Sequence, residues 1–128
     1  MPDPITVLVA DDNEVAQRLC RRMLEKAGHK VLTASDGLEA VRMALASTGA
    51  PDVILMDVAM PGMDGLEAMR QIKAEKPTLG IVIASAHSMP SDRERFLAAG
   101  ADDVLSKPFK LTDLTSVVER LTADRASQ

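Results

Sequence analysis

The chain has 128 residues, 46% of them hydrophobic, and a net charge of −4. That is enough for one domain with a proper core, too apolar for disorder, and without the basic stripe that nucleic acid requires. Cys20 is the only cysteine and Phe96 and Phe109 the only aromatics, which excludes an internal disulfide and a base-stacking platform.

Residues 5–10 (ITVLVA) form a short apolar, β-branched run that predicts a first strand. A helical pattern follows over 13–27, with Ala16, Leu19, Cys20, Met23, Leu24 and Ala27 on one stripe and Gly28 as its stop. KVLTA (30–34) predicts a second strand. A helix over 36–47 comes next, where Asp36 and Glu39 have the spacing of a capping box. DVILM (52–56), a helix over 64–76, GIVIAS (80–85), a helix over 91–99 and DVLS (103–106) continue the alternation. A last helix over 112–123 carries the stripe Leu114, Val117, Val118 and Leu121, with Thr112 as its expected N-cap and a frayed tail beyond.

The strands read as near-continuous apolar runs, the mark of a sheet covered on both faces. Five βα units with right-handed crossovers predict a single α/β domain, (βα)5 and doubly wound. Its parallel sheet is expected in the flavodoxin-like order 2-1-3-4-5, with a core over about 4–122. No basic leader and no apolar run near 18 residues occurs, so a cytoplasmic protein outside the membrane is expected.

In such a sheet, ligands bind outside the carboxyl ends of the strands. There the sequence places Asp11 and Asp12 after strand 1, Asp57 after strand 3, Ser85 on strand 4 and Ser106-Lys107-Pro108 after strand 5. Three carboxylates crowded together repel one another and call for positive charge. Lys107 supplies one charge, and an oxygen-seeking cation such as Mg2+ would supply two while keeping waters that phosphate oxygens can replace. A carboxylate held so, Asp57, is equipped to attack phosphorus and form an aspartyl phosphate, with Lys107 and Ser85 on the equatorial oxygens.

The stretches VLVADDNE (7–14), ILMDVAMPGMDGLE (54–67), IVIASA (81–86) and GADDVLSKPF (100–109) together resemble the receiver domain of two-component response regulators. The resemblance covers residues 4–122 and implies a role for each position. Asp57 matches the phospho-acceptor, and Asp12 the acid that binds Mg2+ directly. Asp11 matches the acid that acts through water, and the Ala59 backbone carbonyl a further ligand, with Mn2+ as a substitute ion. Ser85 and Lys107 match the pair that contacts the phosphoryl group, and the Lys107-Pro108 bond is implied to be cis.

The resemblance also implies partners. The donor is a sensor histidine kinase or a histidine phosphotransfer protein, meeting the chain through Asn13, Val15, Arg18 and Pro108. The downstream protein is unspecified. The chain is expected as a monomer or a weak phosphorylation-dependent dimer, either free-standing or cut from a hybrid kinase or longer regulator. It is expected to catalyse only its own phosphorylation and dephosphorylation. It departs from the family at Val104, where many members carry an aromatic, and at Ala59 and His87, the positions that tune dephosphorylation.

Other readings rank lower. A phosphatase of the haloacid-dehalogenase type wants an acid where Ala59 stands, and neither GxGxxG nor GxxxxGK[ST] occurs for a nucleotide. A receiver-like module that is never phosphorylated would not need the full set of acids. His29 and His87 are expected in solvent, Cys20, Met23 and Met56 in the core, and Met60 and Met63 in an exposed loop.

Overall fold

Each apolar run becomes a strand and each 3.6-residue pattern a helix. The computed structural model describes residues 5–86 and 89–126. The elements are β1 (Thr6–Ala10), α1 (Glu14–Lys26), β2 (Lys30–Ala34), α2 (Gly37–Ala44) and β3 (Val53–Asp57), then α3 (Gly65–Glu75), β4 (Gly80–Ser85), α4 (Pro90–Ala98), β5 (Asp103–Ser106) and α5 (Leu111–Ala126). All strand pairs are parallel, in the order β2-β1-β3-β4-β5, as expected.

Why the strands lack period-2 polarity is visible in the packing. Leu8, Ile54, Met56, Ile81 and Ile83 point to one face, against Ala40, Ala68, Met69, Ile72 and Phe96 of α2, α3 and α4. Val7, Val9, Val53, Leu55 and Val82 point to the other, against Cys20, Leu24, Leu114 and Val118 of α1 and α5. Both faces are buried, so every position along β3 and β4 is apolar until the strand ends. Asp57 continues the alternation of Val53 and Leu55 and so faces the α1–α5 side.

Caps set the helix starts. Asn13 accepts from the Val15 and Ala16 amides at 2.9 and 3.1 Å. Asp36 accepts from the Glu39 amide at 2.8 Å, and Glu39 accepts in return from the Ser35 amide at 2.9 Å, which is the expected box shifted by one residue. Gly28, at φ 93°, ends α1 where only glycine is unstrained.

Several expectations fail. α5 begins at Leu111, so Thr112 lies inside its first turn and caps nothing; the Lys110 amide is met by Asp113 instead, at 3.1 Å. The helix runs on to Ala126, because no glycine or proline stops it, and only residues 127–128 of the expected tail lie outside the described residues. His29 is buried between α1 and β2, and its Nδ1 has no hydrogen-bond partner among the described residues. Met60 is buried and Met63 half-buried in the core cluster that includes residues of α2 and α3, so these two side chains turn inward from a loop that is otherwise exposed at Ala59, Pro61, Gly62 and Asp64. Leu19, 54% exposed, leaves the stripe of α1. His87 lies outside the described residues.

Candidate functional site

The strand register brings the polar ends level. Asp57 pairs with Ala84 and Ser85 with Ser106, one residue before Lys107. Asp11 follows directly on β1, next to β3. The rim therefore collects Asp11, Asp12, Asp57, Ser85 and Lys107, and Asp11, Asp57 and Ser85 are buried while Asp12 is exposed.

One carboxylate oxygen each of Asp11, Asp12 and Asp57 lies within 4.8 Å of the others. Lys107 Nζ stands 3.0 Å from Asp11 Oδ2 and 3.4 Å from Asp57 Oδ1. The Asn13 amide donates to the second Asp11 oxygen at 2.9 Å, so Asp11 is held at both ends. Three carboxylates against one ammonium leave the cluster two charges negative. Burial pushes the Asp57 carboxyl above the ordinary carboxylate range. Lys107 opposes this, the Asp11 charge adds to it, and the Ala59 N–H works with Lys107. Burial also works against the Lys107 ammonium, but the Asp11 hydrogen bond and the Asp57 and Asp11 charges outweigh it and raise its pKa.

Among the described residues the donor set of the cluster is all oxygen, with no thiolate or imidazole, and it lacks about two positive charges. That fits a hard divalent cation such as Mg2+. Lys107-Pro108 is a cis peptide.

An apolar cavity of about 430 Å³ opens beside the cluster. Ala16, Leu19, Cys20 and Met23 of α1 wall one side and Pro108 and Phe109 another, and Asp57 and Lys107 sit at its edge. Burial, followed by the Asp11 charge, raises the Cys20 thiol to about 11, which makes it a packing residue rather than a nucleophile. Of the residues expected on a docking surface, Val15 is 71% exposed and Pro108 is exposed, while Arg18 pairs loosely with Glu14 at 4.0 Å. Asn13 differs, because its side chain is already engaged as the cap of α1. Val104 is buried on β5 against the α4 side.

Two residues escaped sequence reasoning. Gln17 reaches into the β1–α1 loop, where its Nε2 donates to the Asp11 carbonyl. Gly65 opens α3 directly against the Asp57 carbonyl. Both partners are backbone carbonyls of the preceding strand end, six and eight residues back, a close approach to backbone that no pattern of side-chain types reveals.

A family model described as the response regulator receiver domain matches residues 7–119. The response regulator MprA of Mycobacterium sp. (strain KMS) is 39% identical over 118 residues, which cover 92% of this chain and 50% of that protein. The chain thus spans about half the length of the curated relatives it matches. Among solved structures, the receiver domain of the Francisella response regulator 1452 is similar, with a TM-score of 0.87, 30% identity and coverage of 94% of this chain and 98% of that one. The receiver domain of the sensor histidine kinase PA1611 from Pseudomonas aeruginosa is 35% identical at a TM-score of 0.84, covering 94% and 99%, and was solved with magnesium coordinated in its active-site cleft.

Proposed function

The chain belongs to the response regulator receiver family, and we propose that it works there as a phosphorylation-dependent signalling switch whose acceptor is Asp57. The observation that carries this reading is the placement of Asp57. It is buried at the end of β3, 3.4 Å from Lys107 and within 4.8 Å of the Asp11 and Asp12 carboxylates.

Asp12, Asp57 and the Ala59 carbonyl are the residues to hold Mg2+ directly, with Asp11 acting through water and Mn2+ as a substitute. The ion's contribution is to neutralise charge on the transferring phosphoryl group. Asp57 Oδ attacks the phosphorus of a phosphohistidine. The O–P bond forms as the N–P bond breaks, and the electron pair leaves with the imidazole nitrogen. Lys107 and the Ser85 hydroxyl steady the phosphoryl oxygens. Hydrolysis by water returns the carboxylate. The Ala59 side chain has no polar atom with which to orient that water.

A sensor histidine kinase or a histidine phosphotransfer protein is the donor. Val15, Arg18 and Pro108 mark the surface that meets it, and Asn13 contributes by fixing the start of α1. The phosphorylated form changes its affinity for a downstream protein, as a monomer or a weak dimer. No helix among the described residues is long and apolar enough to cross a membrane, in keeping with work in the cytoplasm. The receiver acts either alone or as part of a longer regulator or hybrid kinase.

The test is incubation with phosphoramidate and Mg2+ followed by intact-mass measurement. One added phosphoryl group is expected, absent with EDTA and absent in Asp57→Asn. An unchanged mass, or a label on another residue, sinks the reading.

A further inference from the structure

Asp12 is the least supported acid of the cluster. It is exposed, and no hydrogen bond or ion pair among the described residues fixes its carboxylate. Asp11, by contrast, is anchored at one oxygen by Lys107 and at the other by the Asn13 amide. Yet both acids lie beyond the last ladder pair of β1, Ala10 with Ala34, and the Asp11 amide makes the final backbone bond to β2.

Gln17 adds a tie at that point. It stands in the first turns of α1, and its Nε2 donates to the Asp11 carbonyl, with Ala34 O at 3.3 Å and Ser35 Oγ at 3.4 Å as further acceptors. The Asp11 amide donates to the same Ala34 carbonyl at 3.0 Å. The peptide unit is planar, so the Asp11 carbonyl and the Asp12 N and Cα move as one plate. Pinning the Asp11 oxygen fixes the plate from which the Asp12 side chain projects. An amide NH2 carries two donors, which suffices for the Asp11 and Ala34 carbonyls together.

We propose that Gln17 is a positioning residue for cation binding: by tying the Asp11 and Ala34 carbonyls together it orients Asp12 toward the ion. The inference rests on the receiver reading of the site and concerns the cost of holding the ion, not the chemistry at Asp57.

The experiment is calorimetric titration of the whole chain with Mg2+, with the folded state of each variant checked by circular dichroism. Gln17→Met keeps length and helix preference but removes both donors. It is expected to weaken Mg2+ binding about tenfold, the low end of what losing an outer-shell partner costs a metal site. Gln17→Asn retains the amide on a shorter stem and is expected to weaken it similarly, which keeps the test decisive if the first variant folds poorly. In an Asp12→Asn background, Gln17→Met is expected to add less than about a twofold change, because its effect passes through Asp12. The Mg2+ concentration for half-maximal labelling by phosphoramidate rises in step, and saturating Mg2+ recovers the rate.

A Gln17→Met chain that melts earlier but binds Mg2+ as the parent does overturns the proposal and leaves a structural role only. An equally large effect in the Asp12→Asn background also overturns it. A parent chain that takes up no Mg2+ at all overturns the receiver reading first, and the inference with it.

Discussion

Replacing Gly65 by alanine exposes how tightly the acceptor strand is packed. In most helices Gly→Ala gains up to about 1 kcal/mol, and Gly65 is the first residue of α3. Here a Cβ would stand 2.1 Å from the Asp57 carbonyl oxygen and 2.9 Å from its carbon, both backbone atoms that no rotamer can move aside. An ordinary contact needs about 3.4 Å, so helix or strand end must shift by about 1 Å. Overpacking of this kind costs about 1–3 kcal/mol. The shift also threatens the Gly65 N–H to Val58 O bond of 3.0 Å, worth about 1 kcal/mol. The net expectation is a loss of about 3 kcal/mol, or about 12 °C in Tm at about 4 °C per kcal/mol for a domain this size. Far-UV circular dichroism reads the melt. Gly62→Ala is the control: its Cβ meets nothing within 4 Å, and only its φ of 74° is strained, at about 1 kcal/mol. A Gly65→Ala chain that melts within about 3 °C of the parent, or no lower than Gly62→Ala, refutes the reasoning.

Two further outcomes follow from the site and its helix. The raised pKa of Asp57 means the native state holds that proton more tightly than the unfolded chain, so the ionised group costs stability above the ordinary carboxylate range. In EDTA, Asp57→Asn is therefore expected to be more stable than the parent at pH 7. The advantage should fade as the pH falls through the raised value toward the ordinary one; urea melts across pH check this, and a less stable variant at neutral pH contradicts it. Asn13→Ala removes the cap of α1 and an acceptor for two amides. About 1 kcal/mol of stability should go with it, whereas Asn13→Asp should retain most of it, and thermal melts of both variants decide.

Hydrophobic period and turn formers were enough to place the ten elements, while side-chain caps mark the starts of α1, α2 and α3 only; α4 opens on Pro90 after an uncapped Met89. The strand order followed from handedness and the alternation of units. Within the site, Asp11, Asp12, Asp57, Ser85 and Lys107 stood out because a strand that is apolar throughout makes a terminal acid conspicuous. What stayed hidden depends on tertiary neighbours. His29 looks like a loop residue in one dimension, and it lies in the α1–β2 connection, but its side chain is buried. Met60 follows a turn yet packs into the core. Thr112 has the chemistry of a cap, but the helix begins one residue earlier. Asn13 read as a contact for a partner, and the structure adds a second role, its Oδ1 capping α1.

The sheet is a wall with a separate core on each side, and the alternation along its strands assigns every rim residue to one compartment. Asp57 shares parity with Val53 and Leu55, on the α1–α5 side. Ser85 shares parity with Ile81 and Ile83, on the side of Phe96 and Val104. A group attached to Asp57 and grasped by the Ser85 hydroxyl would thus be a rivet through the wall's upper edge. Such a group would join the α1–α5 chamber to the one beneath α4 with no need for the two interiors to touch.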